Sequence, residues 1–376
     1  MGKKIVLCTL RDNKGATGGP GGVLFMLSKN LGTNVNGIHC VYRFNAIKRD
    51  FRFKNIINKT IFRLRCLIDN DVVYYVTHDI ESAAILSDMK KPYSLVYHNQ
   101  GPIVLEQLNF GIPLSSDQIV FGQEMERKAF TGAKTLHFPS SGAAEMYFNN
   151  QYASCSKDEV CMAEPMYNTI PESDIKPIFN LKEDHKVLTF FSLGTLTKAK
   201  GQDQSMQFIE AFLKANMSIK VRYIVVGRGP LQKEICEKGE TLMNMYDNFT
   251  FLYYDSLTHS EVMYIHKISD VYLMLHRLSI FDFATLEAMS LHTALVLSSV
   301  GGNIDFNKNH NVIFASGDYS DAISKLSIRM IDEMKERNYS VFNDYFSSNA
   351  FADAYRQMII ANIFDLEDKI APPSNL

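Results

Sequence analysis

The sequence predicts an α/β chain of two domains, each built on a mostly parallel β-sheet. Three observations carry the prediction. Short apolar runs alternate with helical patterns along the chain. The alternation stops once, in a proline-rich polar segment, and then restarts. Glycine-rich turns follow several of the runs, as strand–turn–helix units require. A length of 376 residues fits two domains of ordinary size.

In order, Ile5-Val6-Leu7 reads as a buried first strand; the run is far too short for a signal peptide or a membrane span. A glycine cluster and an amphipathic stretch over residues 23–31 follow. Residues 72–76 and 94–97 give two more strands, each bounded by charged or turn residues. Residues 165–177 hold three of the eleven prolines together with Asn168, Glu172, Ser173 and Asp174, the composition of a linker. Beyond it, residues 187–191, 221–226, 271–275 and 294–297 read as buried strands, with a helix over 204–214. Two such halves place a cleft between them, and ligands of parallel sheets bind beyond the carboxyl ends of the strands.

Composition narrows the function. Hydrophobic residues at 46% and charged residues at 21% are ordinary for a globular protein. A net charge of -2 gives no global attraction to nucleic acid or lipid, so any such attraction must be local. Cys8, Cys40, Cys66, Cys155, Cys161 and Cys236 include no C-x-x-C pair, which argues against a zinc or redox motif. Unpaired cysteines and the lack of a long apolar run fit a cytoplasmic protein.

Four segments carry candidate chemistry. Thr17-Gly18-Gly19-Pro20-Gly21-Gly22 follows the first strand; glycines let a backbone approach a phosphate, and the next helix offers free N–H groups, though the segment reads equally as a flexible loop. Residues 192–201, from Ser192 through Gly194, Thr195, Lys198 and Lys200 to Gly201, form a strand-to-helix turn whose lysines could meet a diphosphate as point charges or simply be solvated. Gly227-Arg228-Gly229-Pro230 is a second glycine turn. The fourth, residues 270–305, contains Ser279, Ile280, Phe281, Asp282, Phe283, then Glu287-Ala288-Met289, then Gly301-Gly302. Glu287 could accept hydrogen bonds from ribose hydroxyls or be an exposed helix residue.

Taken in this order, the segments resemble glycosyltransferase family 4, of the GT-B fold: two Rossmann-like domains facing across a cleft. Gly18 to Gly22 match its N-terminal glycine loop; Gly194, Lys200 and Gly201 match its lysine loop; Gly227, Gly229 and Pro230 match its V-G-x-G-P turn. Ser269-Asp270-Val271, Glu287-Ala288-Met289 and Gly301-Gly302 match the remaining motifs. The chain departs from the family at Thr195, where an arginine is expected, at Leu275-His276, in place of Pro-Ser, and at Ser279, in place of the first glutamate of a pair. Asp282, one turn from Ser279, could stand in for that glutamate, and Lys198 or Arg277 for the arginine.

The resemblance implies a retaining hexosyl- or N-acetylhexosaminyltransferase without metal or other cofactor, acting in bacterial surface polysaccharide synthesis. A nucleotide-diphosphate sugar, a UDP-sugar by preference, would be held by Gly21, Gly22, Gly194, Thr195, Lys198, Lys200, Gly227, Arg228, Arg277, Ser279, Ile280, Phe281, Phe283 and Glu287. Lys200, Asp282 and His98 would be catalytic, with His98 at the transferred sugar and His78 toward a saccharide or lipid-linked acceptor. From the residues alone, both histidines, at the ends of apolar runs, read as structural. The N-terminal domain, residues 1–165, would take the acceptor; the C-terminal domain, 178–345, the donor; and residues 346–376 would pack back on the first. A non-catalytic partner subunit and a nucleotide-sugar 2-epimerase are the alternatives on this fold.

Two features stand outside these motifs. Asp69-Asn70-Asp71 spells the D-x-D of metal-dependent transferases but precedes a strand, where a metal-diphosphate site needs carboxylates after one. Residues 43–65 carry eight basic residues against one acid, interleaved with aromatic and aliphatic residues. Such a segment can lie on an anionic membrane or pack as a cationic helix on its own sheet. The sequence gives no sign of nucleic-acid binding.

Overall fold

The computed structural model describes residues 3–370 apart from Lys14, 16–18, Arg49, Phe51, Gln100, Phe110 and Asn180, with side chains described to residue 363. The chain divides into two compact units. Residues 1–169 and the segment from Ser348 form one, and residues 170–347 the other.

The first unit is a six-stranded sheet of β1 (Lys4–Cys8), β2 (Asn34–Val35), β3 (Ile38–Arg43), β4 (Val72–Thr77), β5 (Tyr93–Val96) and β6 (Thr135–His137) in the order β2-β3-β1-β4-β5-β6. Among the described residues, only the short β2–β3 pair is antiparallel. Its five parallel strands run 2-1-3-4-5 in chain order, a doubly wound arrangement that reverses between β1 and β4. The helices are α1 (Gly19–Asn30), α2 (Lys54–Ile68), α3 (Ile80–Asp88), α4 (Ile103–Asn109), α5 (Ser116–Thr131) and α6 (Ser141–Phe148). Ser115 and Gln118 close a capping box on α5, and Asp79 caps α3 through Ser82 N at 2.8 Å.

The second unit is a fully parallel sheet of β7 (Leu188–Leu193), β8 (Val221–Val226), β9 (Phe249–Tyr254), β10 (Val271–Met274), β11 (Ala294–Leu297) and β12 (Val312–Phe314). The order β12-β11-β10-β7-β8-β9 is the 3-2-1-4-5-6 Rossmann order, reversing between β7 and β10. Helices α7 (Gln202–Ala215), α8 (Gln232–Met245), α9 (His259–Ile268), α10 (Phe283–Ser290), α11 (Ser320–Lys325) and α12 (Ile328–Val341) accompany it. Helix α13 (Ser348–Ile370) packs in the first unit, where Phe351, Tyr355 and Ile359 join Leu7, Leu24 and Val76 in one core. In both sheets the inner strands are buried on both faces, which is why they are nearly continuous apolar runs.

All seven predicted strand segments lie on strands, and residues 165–177 contain neither helix nor strand. The helix expected over 204–214 begins earlier, at Gln202. Helix α1 begins at Gly19, so Gly21 and Gly22 stand in its first turn rather than in a loop before it. Thr17 and Gly18 lie outside the described residues.

Candidate active site

In an open parallel sheet, the loops at the carboxyl ends diverge where the strand order reverses, leaving a crevice. In the second unit that point falls between the exits of β7 and β10. Two glycines let the surrounding turns pack backbone to backbone. Gly201, at φ +71°, starts α7, and a Cβ there would stand 1.8 Å from the Leu275 carbonyl oxygen. A Cβ on Gly227, at φ +143°, would stand 2.0 Å from the carbonyl oxygen of Gly194. Leu196 N donates to Arg228 O at 2.9 Å and Arg277 N to Ala199 O at 2.9 Å, which completes the lock. The turn after β7 is thereby seated against the turns after β8 and β10.

This seating brings Lys200 to Asp282: Nζ and Oδ1 are 2.9 Å apart, across 82 residues of sequence. Tyr272 OH donates to the other carboxylate oxygen at 3.5 Å. Burial alone would push the Asp282 carboxyl up, but the Lys200 charge, His276 and these hydrogen bonds outweigh it and hold it below the usual range. Asp282 occupies the residue before α10, with no side-chain bond to that helix's N–H groups. His276, just past β10, is 1% exposed, and burial lowers its pKa to about 4, so it is neutral near pH 7.

Ser279 is buried; Gly302 N donates to its carbonyl at 2.9 Å, and its hydroxyl has no hydrogen-bond partner among the described residues. The Phe281 ring is turned to the interior, stacked on Phe306 with centroids 4.5 Å apart and edge-on to Phe346. Ile280 and Phe283 flank it, both partly buried.

The candidate substitutes for the absent arginine are both engaged by one acid. Arg277 grips Asp203 with bonds of 2.8 and 3.0 Å, and Lys198 meets the same carboxylate at 3.0 Å. Arg228 stands 3.4 Å from Asp255. Thr195 is exposed on the turn. Lys200, Lys198, Arg277 and Arg228 thus each have a carboxylate partner.

Glu287 is not the exposed helix residue that a lone glutamate usually is. It is 8% exposed, and its Oε1 accepts from His259 Nε2 at 2.7 Å. His266 Nε2, fully buried, lies 3.6 Å from Oε2. Burial pushes the Glu287 carboxyl up, but the hydrogen bond from His259 and the nearby His266 ring hold it below the usual range. His259 and Asp203, which contact the candidate residues Glu287 and Arg277, were missed by the sequence reading. Both lie in ordinary helix-start patterns, and nothing in a single sequence joins them to partners 28 and 74 positions away.

In the first unit, His78 directly follows β4, at that sheet's own reversal point, and His98 lies just beyond β5. Their rings stack, with Nδ1 of His78 3.0 Å from Nε2 of His98, and Tyr355 of α13 stacks on His78. Burial, and for His78 also the neighbouring ring, pushes both down, His98 to about 4. A Cβ on Gly21 would meet the Asp12 carbonyl oxygen at 2.6 Å, so the segment after β1 crosses close over the start of α1; Gly22 beside it is buried.

Both D-x-D carboxylates serve structural pairs: Asp69 with Arg43 (2.9 Å for one of two bonds) and Asp71 with Lys4 (2.6 Å). The basic segment is not one helix. Arg43 ends β3, and α2 begins at Lys54. Its charge is also less available than its composition suggests, because Arg43, Lys54, Lys59 and Arg63 pair with Asp69, Asp12 and Asp50, Glu81, and Asp88 respectively. Arg49 and Phe51 lie outside the described residues.

Residues 174–343 match the family model of the group 1 glycosyl transferases. No curated protein matches the sequence. Solved structures align over nearly all of the chain. A sucrose-phosphate synthase of Thermosynechococcus elongatus aligns at 15% identity with a TM-score of 0.60, over 96% of this chain and 100% of that one. An α,α-trehalose 6-phosphate synthase of Burkholderia multivorans aligns at 11% and 0.63 over all of both chains, and HepE of Anabaena, solved with UDP and glucose, at 13% and 0.57 over 95% and 99%. At these identities the likeness shows the fold, and that fold is GT-B: an α/β chain with two parallel-sheet units.

Proposed function

We propose that this protein is a retaining glycosyltransferase that moves a hexose or N-acetylhexosamine from a nucleotide-diphosphate sugar to a saccharide or lipid-linked saccharide. The observation that carries the reading is the Lys200–Asp282 pair at the reversal point of a Rossmann-ordered sheet, inside the region that matches the group 1 glycosyl transferases. Negative charge builds on the diphosphate as the glycosidic bond breaks. Lys200 is the cation held ready for it, and a diphosphate, with more charge and more acceptor atoms than one carboxylate, draws Lys200 from Asp282. The carboxylate of Asp282 is then free beside the sugar. Glu287 accepts from the ribose. His98, kept neutral by burial, has Nε2 engaged by His78 and offers Nδ1 to a sugar hydroxyl. HepE was solved with UDP and glucose and an Escherichia coli relative with UDP-2-fluoro glucose, which supports a UDP-sugar donor here.

The exposed apolar residues of α2 supply a contact to an anionic membrane surface, where a lipid-linked acceptor for surface polysaccharide synthesis would be held. A second reading, a non-catalytic GT-B subunit, draws support from one observation: every candidate donor-site cation already has an acidic partner.

A panel of UDP-, GDP- and dTDP-sugars, scored for thermal stabilisation and slow hydrolysis with EDTA present, separates the two. A donor at 100 times its dissociation constant adds about 2.7 kcal/mol of stability. The transferase reading predicts that one donor stabilises and is hydrolysed. Stabilisation without hydrolysis, or no stabilisation by any donor, supports the non-catalytic reading instead.

A further inference from the structure

We infer that His259 is a positioning residue for the donor: it fixes the Glu287 carboxylate in the orientation that receives the ribose. The inference rests on the proposed role of Glu287 and adds a residue that lies outside the family motifs found in the sequence.

Three observations on one line of atoms carry it. His259 Nε2 lies 2.7 Å from Glu287 Oε1, the distance of a charge-assisted hydrogen bond. The other ring nitrogen, Nδ1, lies 3.1 Å from Ser173 Oγ, in the segment that precedes β7. Ser173 Oγ also lies 3.4 Å from the Pro171 carbonyl. The Pro171 carbonyl can only accept, so the Ser173 hydroxyl donates to it and accepts from Nδ1–H; with Nε2–H turned to Glu287, both ring nitrogens donate, the protonation that the carboxylate favours, and the outer partner fixes the ring's orientation.

The geometry has a consequence for recognition. A glutamate side chain on a helix has three rotatable bonds, and holding it still costs side-chain entropy. Here the histidine bond holds it before a ligand arrives, so a ribose need not pay that cost on binding. His259 occupies one acceptor direction on Oε1, and His266 stands 3.6 Å from Oε2, leaving the remaining lone pairs for hydroxyl donors. The side chain of His259 is about half exposed, at the first residue of α9, whose start is secured by the Thr258–Glu261 capping box. Its removal therefore leaves the helix cap in place.

The test is a calorimetric titration of UDP into the full-length protein and into His259→Ala, His259→Gln, Glu287→Ala and the double variant His259→Ala/Glu287→Ala, with each melting temperature recorded. The inference predicts that His259→Ala weakens UDP by roughly tenfold. His259→Gln, which keeps an N–H donor, recovers most of that loss. In the Glu287→Ala background, removing His259 changes affinity less than about twofold, because the group it positions is gone. Equal losses in both backgrounds would mean a general structural role and overturn the inference, as would His259→Ala binding UDP like the wild type. Wild-type affinity in Glu287→Ala would instead remove Glu287 from ribose binding and the inference with it. Failure of the wild type to bind UDP would count against the proposed donor itself.

Discussion

His78, His98 and His276 lie at the carboxyl ends of parallel strands, and burial holds all three below the ordinary histidine value. An unfolded histidine titrates near 6.5. Between that value and about 4, to which burial lowers His98 and His276, the unfolded chain binds more protons than the folded one. Their contribution to stability is therefore complete above pH 6.5 and is lost as pH falls toward 4. His259 has the opposite sign, raised chiefly by its bond to Glu287, so its contribution is full below 6.5 and lost as pH rises through its folded value. The melting temperature should thus fall between pH 7 and 5, and His276→Asn should flatten that fall. An unchanged slope in that variant would place the acid sensitivity elsewhere. The site was half legible at this scale. Lys200, Glu287 and Asp282 stand out by spacing after glycine turns, whereas Asp203 and His259 gain meaning only when the fold brings them to Arg277 and Glu287.

Helix α2 shows why an element can mislead when read by composition. It turns only the narrow stripe Lys54, Asn58, Phe62 and Cys66 inward, and leaves Leu64 56% and Ile68 75% exposed, with Ile56 and Leu67 also outward. Exposed apolar residues at 57, 64 and 68 recur at helical spacing, with Ile61 partly buried between them. Neighbouring acids pair with several of its bases, so apolar insertion, more than charge, should drive any lipid contact. Leu64→Glu and Ile68→Glu should each reduce cosedimentation with phosphatidylserine vesicles by roughly tenfold without lowering the melting temperature. Wild-type protein that ignores such vesicles, or variants that bind like it, would remove α2 from the membrane. The strands divide in a related way. The seven legible ones are buried on both faces; of the five missed, β2, β6, β9 and β12 are short, at sheet edges, or both, and β3 carries His39 and Arg43. Their patterns are diluted by solvent on one side.

For the molecule as a whole, two doubly wound sheets were legible because restarting βαβ alternation after a proline-rich break is a long-range pattern that no single helix can imitate. What was not legible is the charge balance at the second sheet's reversal point. Ion pairs across 82 and 74 residues depend on how Gly201 seats one turn against another. In the proposed reading, that balance decides between a working donor site and an inert relative of one, with Lys200 as its pivot. The most direct measurement is UDP titration and donor hydrolysis by wild type and Lys200→Ala, side by side. If Lys200 receives the diphosphate, the variant stays folded, with a melting temperature lowered because Asp282 loses its charge partner, binds UDP at least tenfold more weakly and loses hydrolysis by two orders of magnitude or more, about 2.7 kcal/mol in the barrier. Unchanged affinity and hydrolysis in Lys200→Ala would contradict the account.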